Sequence, residues 1–245
     1  VAAASLRSSS TGVETSNTTS WAVSYPATIV AGDLLLLTIG CDGTTRSFSG
    51  LESGWTSLKS ALTDGSCSFN AFYKIATGSE SGLIGTGATN ITCSSSEQGA
   101  WRLGAFQDWF GTAAGIAIST GASGASSGPD PDSLTLPWGS GEDTLVRAVG
   151  ASDGSVTVTG YPSGYTLNQF ADHSGGGAGA GMFSAGIVDT GSPVNPGAFT
   201  LSGSDGWAAA TIAIRPAAAV AYEGLPQRVA PRIVPVVPVQ VRSRW

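Results

Sequence analysis

The chain has 245 residues, 41% apolar and only 11% charged, enough to bury a sizeable core, which excludes the disordered class for most of its length. Residues 1–215 hold 7 basic and 16 acidic side chains, net −9, whereas 216–245 hold Arg228, Arg232, Arg242 and Arg244 against Glu223, net +3. An acidic body argues against nucleic-acid binding, and no run of about 18 apolar residues exists to span a membrane.

Residues 1–20 are small and polar and read as an N-terminal arm or a weak first strand. The opening VAAASLRSSSTG lacks the charged-then-apolar order of a secretory signal. Trp21–Tyr25 alternates and predicts a strand ended by Pro26. Gly32–Gly43 (GDLLLLTIGCDG) is a short apolar run bounded by turn residues, the pattern of a strand buried on both faces. Cys67–Ile75 has a period of two, with Cys67, Phe69, Ala71, Tyr73 and Ile75 directed at the core. Asn90–Ser94 and Ala100–Trp109 complete a first half, residues 21–118. Residues 119–133, rich in Gly and Ser and ending in Pro-Asp turns, read as a linker. A second half, 134–216, closes with a strand over Ala208–Ile214, stopped by Arg215-Pro216. Few segments carry a sustained 3.6-residue apolar period, so the chain is expected to be all-β, a sandwich or barrel.

The second half repeats the first in order. Gly32–Gly43 is echoed by Glu142–Gly154, which also opens on an acid and closes on Asp-Gly. Ser53-Gly54-Trp55-Thr56 is echoed by Ser163-Gly164-Tyr165-Thr166, Phe69–Gly78 by Gly181–Gly191, and the Trp101 region by the Trp207 region. Four matched segments in one order imply a degenerate duplication, each copy forming half of one sandwich. Runs 32–41 and 143–150 should then hold equivalent, central positions.

Apparent catalytic patterns are weak. G-x-S-x-G occurs at Gly124–Gly128 and Gly150–Gly154, but a nucleophile elbow needs strand, turn and helix, and neither context predicts a helix. His173, beside Asp172, is the single histidine; with Ser126 and Ser152 it is assigned to loops and turns. Glu52, Glu80, Glu97 and Glu142 sit near turns without the pairing that glycoside hydrolysis requires. Asp130 and Asp132 fit turn capping better than calcium. Cys41, Cys67 and Cys93 fall on inward strand faces and read as buried hydrophobes, with one disulfide plus a spare thiol as the alternative. Without a CxxC pair, zinc is not expected. Asn17 and Asn90 lie in glycosylation sequons, relevant only to a eukaryotic secretory route. Trp55, Trp101, Trp138, Tyr165 and Trp207 are candidates for a sugar platform, although aromatics of sandwiches more often pack in the core. No catalytic residue, metal or cofactor is assigned.

The order AGDLLLL…GWTSL…FYKIATGSESG…AWRLGAF, followed by TLVRAVGASDG…PSGYTL…ATIAIRP, resembles a loose group of jelly-roll proteins encoded by tailed bacteriophages. The likeness covers Ala27–Pro216. It implies a jelly-roll-like β-sandwich and a non-enzymatic virion component, a capsid decoration or cement protein or a head fibre, assembled in the bacterial cytoplasm. It also implies self-association, as a trimer, and contact with other virion proteins such as the major capsid protein. The alternative is a secreted or tail-borne carbohydrate-binding sandwich module that takes a host surface glycan.

Residues 217–245 form a third region. Pro226, Pro231, Pro235 and Pro238 each fix φ and remove a donor, so neither helix nor central strand can form. Yet Val229, Ile233, Val236, Val237 and Val239 are apolar, unlike a solvated linker. In a polyproline-like form at ~3.1 Å per residue, this arm would reach ~90 Å. These residues and Arg228, with Arg242, Arg244 and Trp245 as a terminal anchor, are the expected partner-binding set.

Overall fold

The computed structural model describes residues 2–154, 156–175 and 179–218. The first half supplies β1 (Ser5–Trp21), β2 (Leu34–Asp42), β3 (Phe48–Ser49), β4 (Thr56–Thr63), β5 (Cys67–Ile75) and β6 (Ile91–Gln107). After one 3-10 turn at Ala113–Gly115, the second supplies β7 (Ile116–Ile118), β8 (Ala122–Ser126), β9 (Thr144–Asp153), β10 (Val158–Gly160), β11 (Leu167–His173), β12 (Ala180–Asp189), β13 (Thr200–Leu201) and β14 (Asp205–Ile214). One antiparallel sheet runs β1-β6-β2-β5-β4, with β3 added to β6. The other runs β11-β12-β9-β14, with β7 and β8 in tandem on the free side of β14. β10 and β13 make a separate ribbon.

The two sheets have the same strand order, half against half. β6-β2-β5-β4 matches β14-β9-β12-β11. Leu34 pairs with Phe106 and Ile75; Leu145 pairs with Ile214 and Val188. Both central strands end on Asp-Gly, and in each the aspartate accepts the next backbone N–H, Gly43 to Asp42 Oδ1 at 2.7 Å and Gly154 to Asp153 Oδ1 at 2.8 Å. Both glycines have positive φ, 81° and 63°, which a side chain would strain. Across the interface β2 faces β9, β6 faces β12 and β5 faces β14. That reciprocity is the signature of a two-fold contact, here internal to one chain.

The tryptophan echo is present with a two-residue slide. Trp101 stands opposite Gly12 of β1, and Trp207 opposite Gly124 of β8. In each case the indole lies over the space a Cβ would take, the arrangement in which an aromatic covers a strand glycine. A shift of two keeps the ring on the same face.

Three apolar layers result. Between the sheets lie Leu34, Leu36, Phe69, Ala71, Phe106, Leu145, Val149, Ala210, Ile212 and Ile214. Outside the first sheet, Trp21, Val23, Tyr25, Phe48 and Ile84 cover Leu35, Leu37, Ile39 and Leu103. Outside the second, Leu134, Leu136, Tyr165, Val194 and Phe199 cover Val146, Ala148, Phe183 and Ala213. Both faces of β2 and β9 are therefore dry, which is why their sequences run apolar without alternation. In β5, Cys67, Phe69 and Ala71 face between the sheets as the period predicts, Ile75 is exposed, and the opposite set, Ser68, Asn70, Phe72 and Lys74, is buried beneath the outer cover.

The β-sandwich of two halves is as the sequence implied. The wiring departs from a jelly roll, which is two Greek keys. A Greek key sets its strands fourth-first-second-third, whereas the four main strands of each half here stand fourth-first-third-second, and each half completes one sheet by itself. Three local expectations also change. Residues 5–21, read as an arm or weak strand, form a full strand on β6. Residues 22–25, read as a strand, instead cross the outer face with a single bridge from Ser24 to Leu83, because their apolar side chains serve the cover. The stretch 119–133, read as a linker, contains β8, since its small residues fit beside Trp207.

Candidate functional site

The expected partner-binding residues, Arg228, Val229, Ile233, Val236, Val237, Val239, Arg242, Arg244 and Trp245, lie outside the described residues. The structure does show how the chain enters that region. After β14, Arg215 donates from Nε and Nη2 to Glu142 Oε2 and Oε1 at 2.7 and 2.6 Å, a bidentate fork. The Arg215 hydrogen bond holds the Glu142 carboxyl below the usual carboxylate range, and the same bond raises Arg215. The guanidinium also lies over Phe110, 4.2 Å from the ring centre, and near Trp138. The Phe110 N–H donates to Arg215 O at 3.0 Å, Pro216 bridges Trp109, and the Ala217 N–H donates to Asp108 O at 2.9 Å. At the same pole Ser5 pairs with Gln107, Arg7 donates from Nε to Asp33 Oδ2 at 2.8 Å, and Trp109 Nε1 donates to Gly32 O at 2.7 Å. The start of β1 and the root of 217–245 therefore share one fixed platform.

Ser152 and His173, read as turn and loop residues, instead lie in strands and form one row with Gly181 across β9, β12 and β11, beneath a cavity of about 280 Å³ that Asp172 and Val156 also line. These are the residue types of a Ser-His-Asp site, but the roles do not meet. Gly175 N–H donates to His173 Nδ1 at 3.0 Å, which leaves the neutral ring's proton on Nε2 and no lone pair to accept one from serine. Asp172 Oδ1 accepts the His173 backbone N–H at 2.9 Å rather than orienting the ring. Ser126, in the other G-x-S-x-G, accepts from Trp207 Nε1 at 3.0 Å and anchors that indole.

All four glutamates considered as acids are in ion pairs: Glu97 with Arg46, Glu142 with Arg215, and both Glu52 and Glu80 with Lys74. The last cluster is a pairing that the sequence did not reveal. Lys74 Nζ is 2.5 Å from Glu52 Oε1 and 3.2 Å from Glu80 Oε1. Tyr25 OH donates to Glu52 and stacks on Trp55, and burial pushes its phenol up. Glu52, Lys74 and Glu80 line an open cavity of about 440 Å³ together with Ser53, Gly54, Ile75, Thr77, Ser79 and Ser81. Burial would raise Glu80, but the Thr77 and Gly78 backbone N–H groups and the Thr77 hydroxyl outweigh it and hold the carboxyl at about 2. A carboxyl that low carries no proton at neutral pH and cannot act as a general acid.

Asp132 Oδ2 accepts from the Thr120 hydroxyl at 2.8 Å, a side-chain contact twelve residues apart. Among the described residues no group of three or more His, Cys, Asp or Glu is placed to hold a metal ion. Cys41, Cys67 and Cys93 are free and buried. Only Cys67 faces between the sheets; Cys41 and Cys93 lie under the outer cover of the first sheet. Trp101, Tyr165 and Trp207 are buried, Trp55 stacks on Tyr25, and Trp138 donates to Thr144 Oγ1, so the five aromatics do not form one exposed platform. Compared with protein-family models, with curated proteins and with solved structures, the chain matches none.

Proposed function

We propose that this chain is a non-enzymatic structural component of a bacteriophage particle, a capsid decoration or head-fibre protein that attaches through residues 217–245. The observation that carries the reading is the root of that segment. Arg215, Pro216 and Ala217 are clamped by Glu142, Trp109 and Asp108, and beyond them follows a proline-punctuated, valine-rich, basic sequence that cannot fold alone. An apolar segment of that kind gains burial only against a partner. A rigid root passes the hold of such a segment to the whole sandwich. The motifs that resemble phage virion proteins, and cavities whose histidine and carboxylates are tied to structural partners, support the same reading. Copies of the chain, as a trimer, and the major capsid protein are the partners it calls for.

The test is a chain truncated after Ala218, expressed in place of the full chain during particle assembly. The truncated protein should remain folded by circular dichroism and be missing from purified particles. Incorporation equal to that of the full chain would refute attachment through the arm.

A further inference from the structure

We infer that the interior of the sandwich binds a small monovalent anion, chloride in physiological salt, between Arg102 of β6 and Arg147 of β9. Both guanidiniums are buried on the facing surfaces of the two sheets, 8% and 3% exposed. They share two acceptors. Ser184 Oγ accepts from Arg147 Nη2 at 2.8 Å and Arg102 Nη1 at 3.2 Å, and Asn168 O from Arg102 Nη1 at 2.7 Å. Both acceptors are neutral, and neither arginine forms a salt bridge with a described carboxylate. Arg147 Nη1 has no hydrogen-bond partner among the described residues. Two adjacent guanidiniums stay charged under ordinary conditions, and burying them without a counter-charge is strongly unfavourable.

The internal two-fold supplies a control. When the Asp-Gly ends of β2 and β9 are matched, Arg102 corresponds to Ala210, Arg147 to Leu36, Ser184 to Ala71 and Thr38 to Val149. The mate positions are apolar and packed in the central core. The fold thus fills this place with hydrocarbon in one copy, so its architecture does not require arginines in the other. Arg102, Arg147, Thr38, Leu36, Phe106 and Val149 border a cavity of about 10 Å³, room for about one water-sized sphere. That size and its largely apolar wall select a single weakly hydrated ion over phosphate or a carboxylate ligand.

The full chain, exchanged into sodium methanesulfonate, is titrated with chloride at constant ionic strength while urea unfolding is followed by circular dichroism. Above the dissociation constant, the folding equilibrium constant should rise tenfold per tenfold chloride. The dependence should vanish in Arg147→Met and in Leu36→Asp, whose carboxylate would supply the missing charge from within. Crystals grown with bromide should show an anomalous peak against the Arg147 guanidinium, a readout that needs no variant to fold. Unfolding of the wild-type chain that is the same in both salts, a chloride dependence that survives in a folded Arg147→Met, or water alone in the cavity of bromide-grown crystals would each overturn the site.

Discussion

Replacing Glu80 with Gln removes one carboxylate from the Lys74 cluster and keeps its shape. In the folded chain the Glu80 carboxyl sits at about 2, against an ordinary value of 4.5. Folding therefore favours the ionised form. The contribution is complete above pH 4.5 and disappears as the pH falls from 4.5 through 2. At about 1.36 kcal/mol per pH unit the gap is worth roughly 3 kcal/mol, of which about 2 kcal/mol survives the screening of a turn at the surface. Urea unfolding at pH 7 should place Glu80→Gln about 2 kcal/mol below wild type. Near pH 2 the wild-type carboxyl is about half protonated and most of its contribution is gone, so the two proteins should nearly converge. Other acids titrate over the same range, but they do so in both proteins and drop out of the difference. A stability gap that is the same at pH 7 and near pH 2 would show that Glu80 gains nothing from its ionised state.

Two further outcomes follow from burial. Leu34 is fully buried between the sheets, so Leu34→Asp should cost about 3–5 kcal/mol by urea unfolding, an unpaired buried charge; Leu36→Asp, bordering the two arginines, should cost clearly less, and equal losses would contradict their proximity. Hydrogen bonding from Cys41 brings the Cys93 thiol down to about 7, yet Cys41, Cys67 and Cys93 are all but sealed from solvent; a disulfide-exchange reagent should label none of them in the native chain and all three in urea, and rapid native labelling would mean that the outer cover opens.

Much of the architecture was legible in the chain because it depends on local pattern. The unbroken apolar runs of β2 and β9, the period of two in β5, the Asp-Gly ends and the repeated order of segments all express which faces are dry and where the chain turns, and those constraints act within a strand and its neighbours. The proline pattern of residues 217–245 is equally local, since each proline acts on its own φ and its own missing donor. The sequence by itself thus determined an all-β chain in two related halves with a distinct, proline-rich end. Contacts between distant residues were left to the tertiary structure. Strand order depends on which hairpins cross over, and the jelly-roll-like expectation failed there. Residues 22–25 alternate like a strand, yet the outer face of the first sheet recruits them as cover. The union of Glu52, Glu80, Lys74 and Tyr25, and that of Arg102 with Arg147, join positions separated by 6 to 55 and by 45 residues. Nothing in their spacing marks them: the first set meets where the outer cover folds onto the first sheet, and only the stacking of the two sheets brings the two arginines into one dry space, where a charge must find a partner.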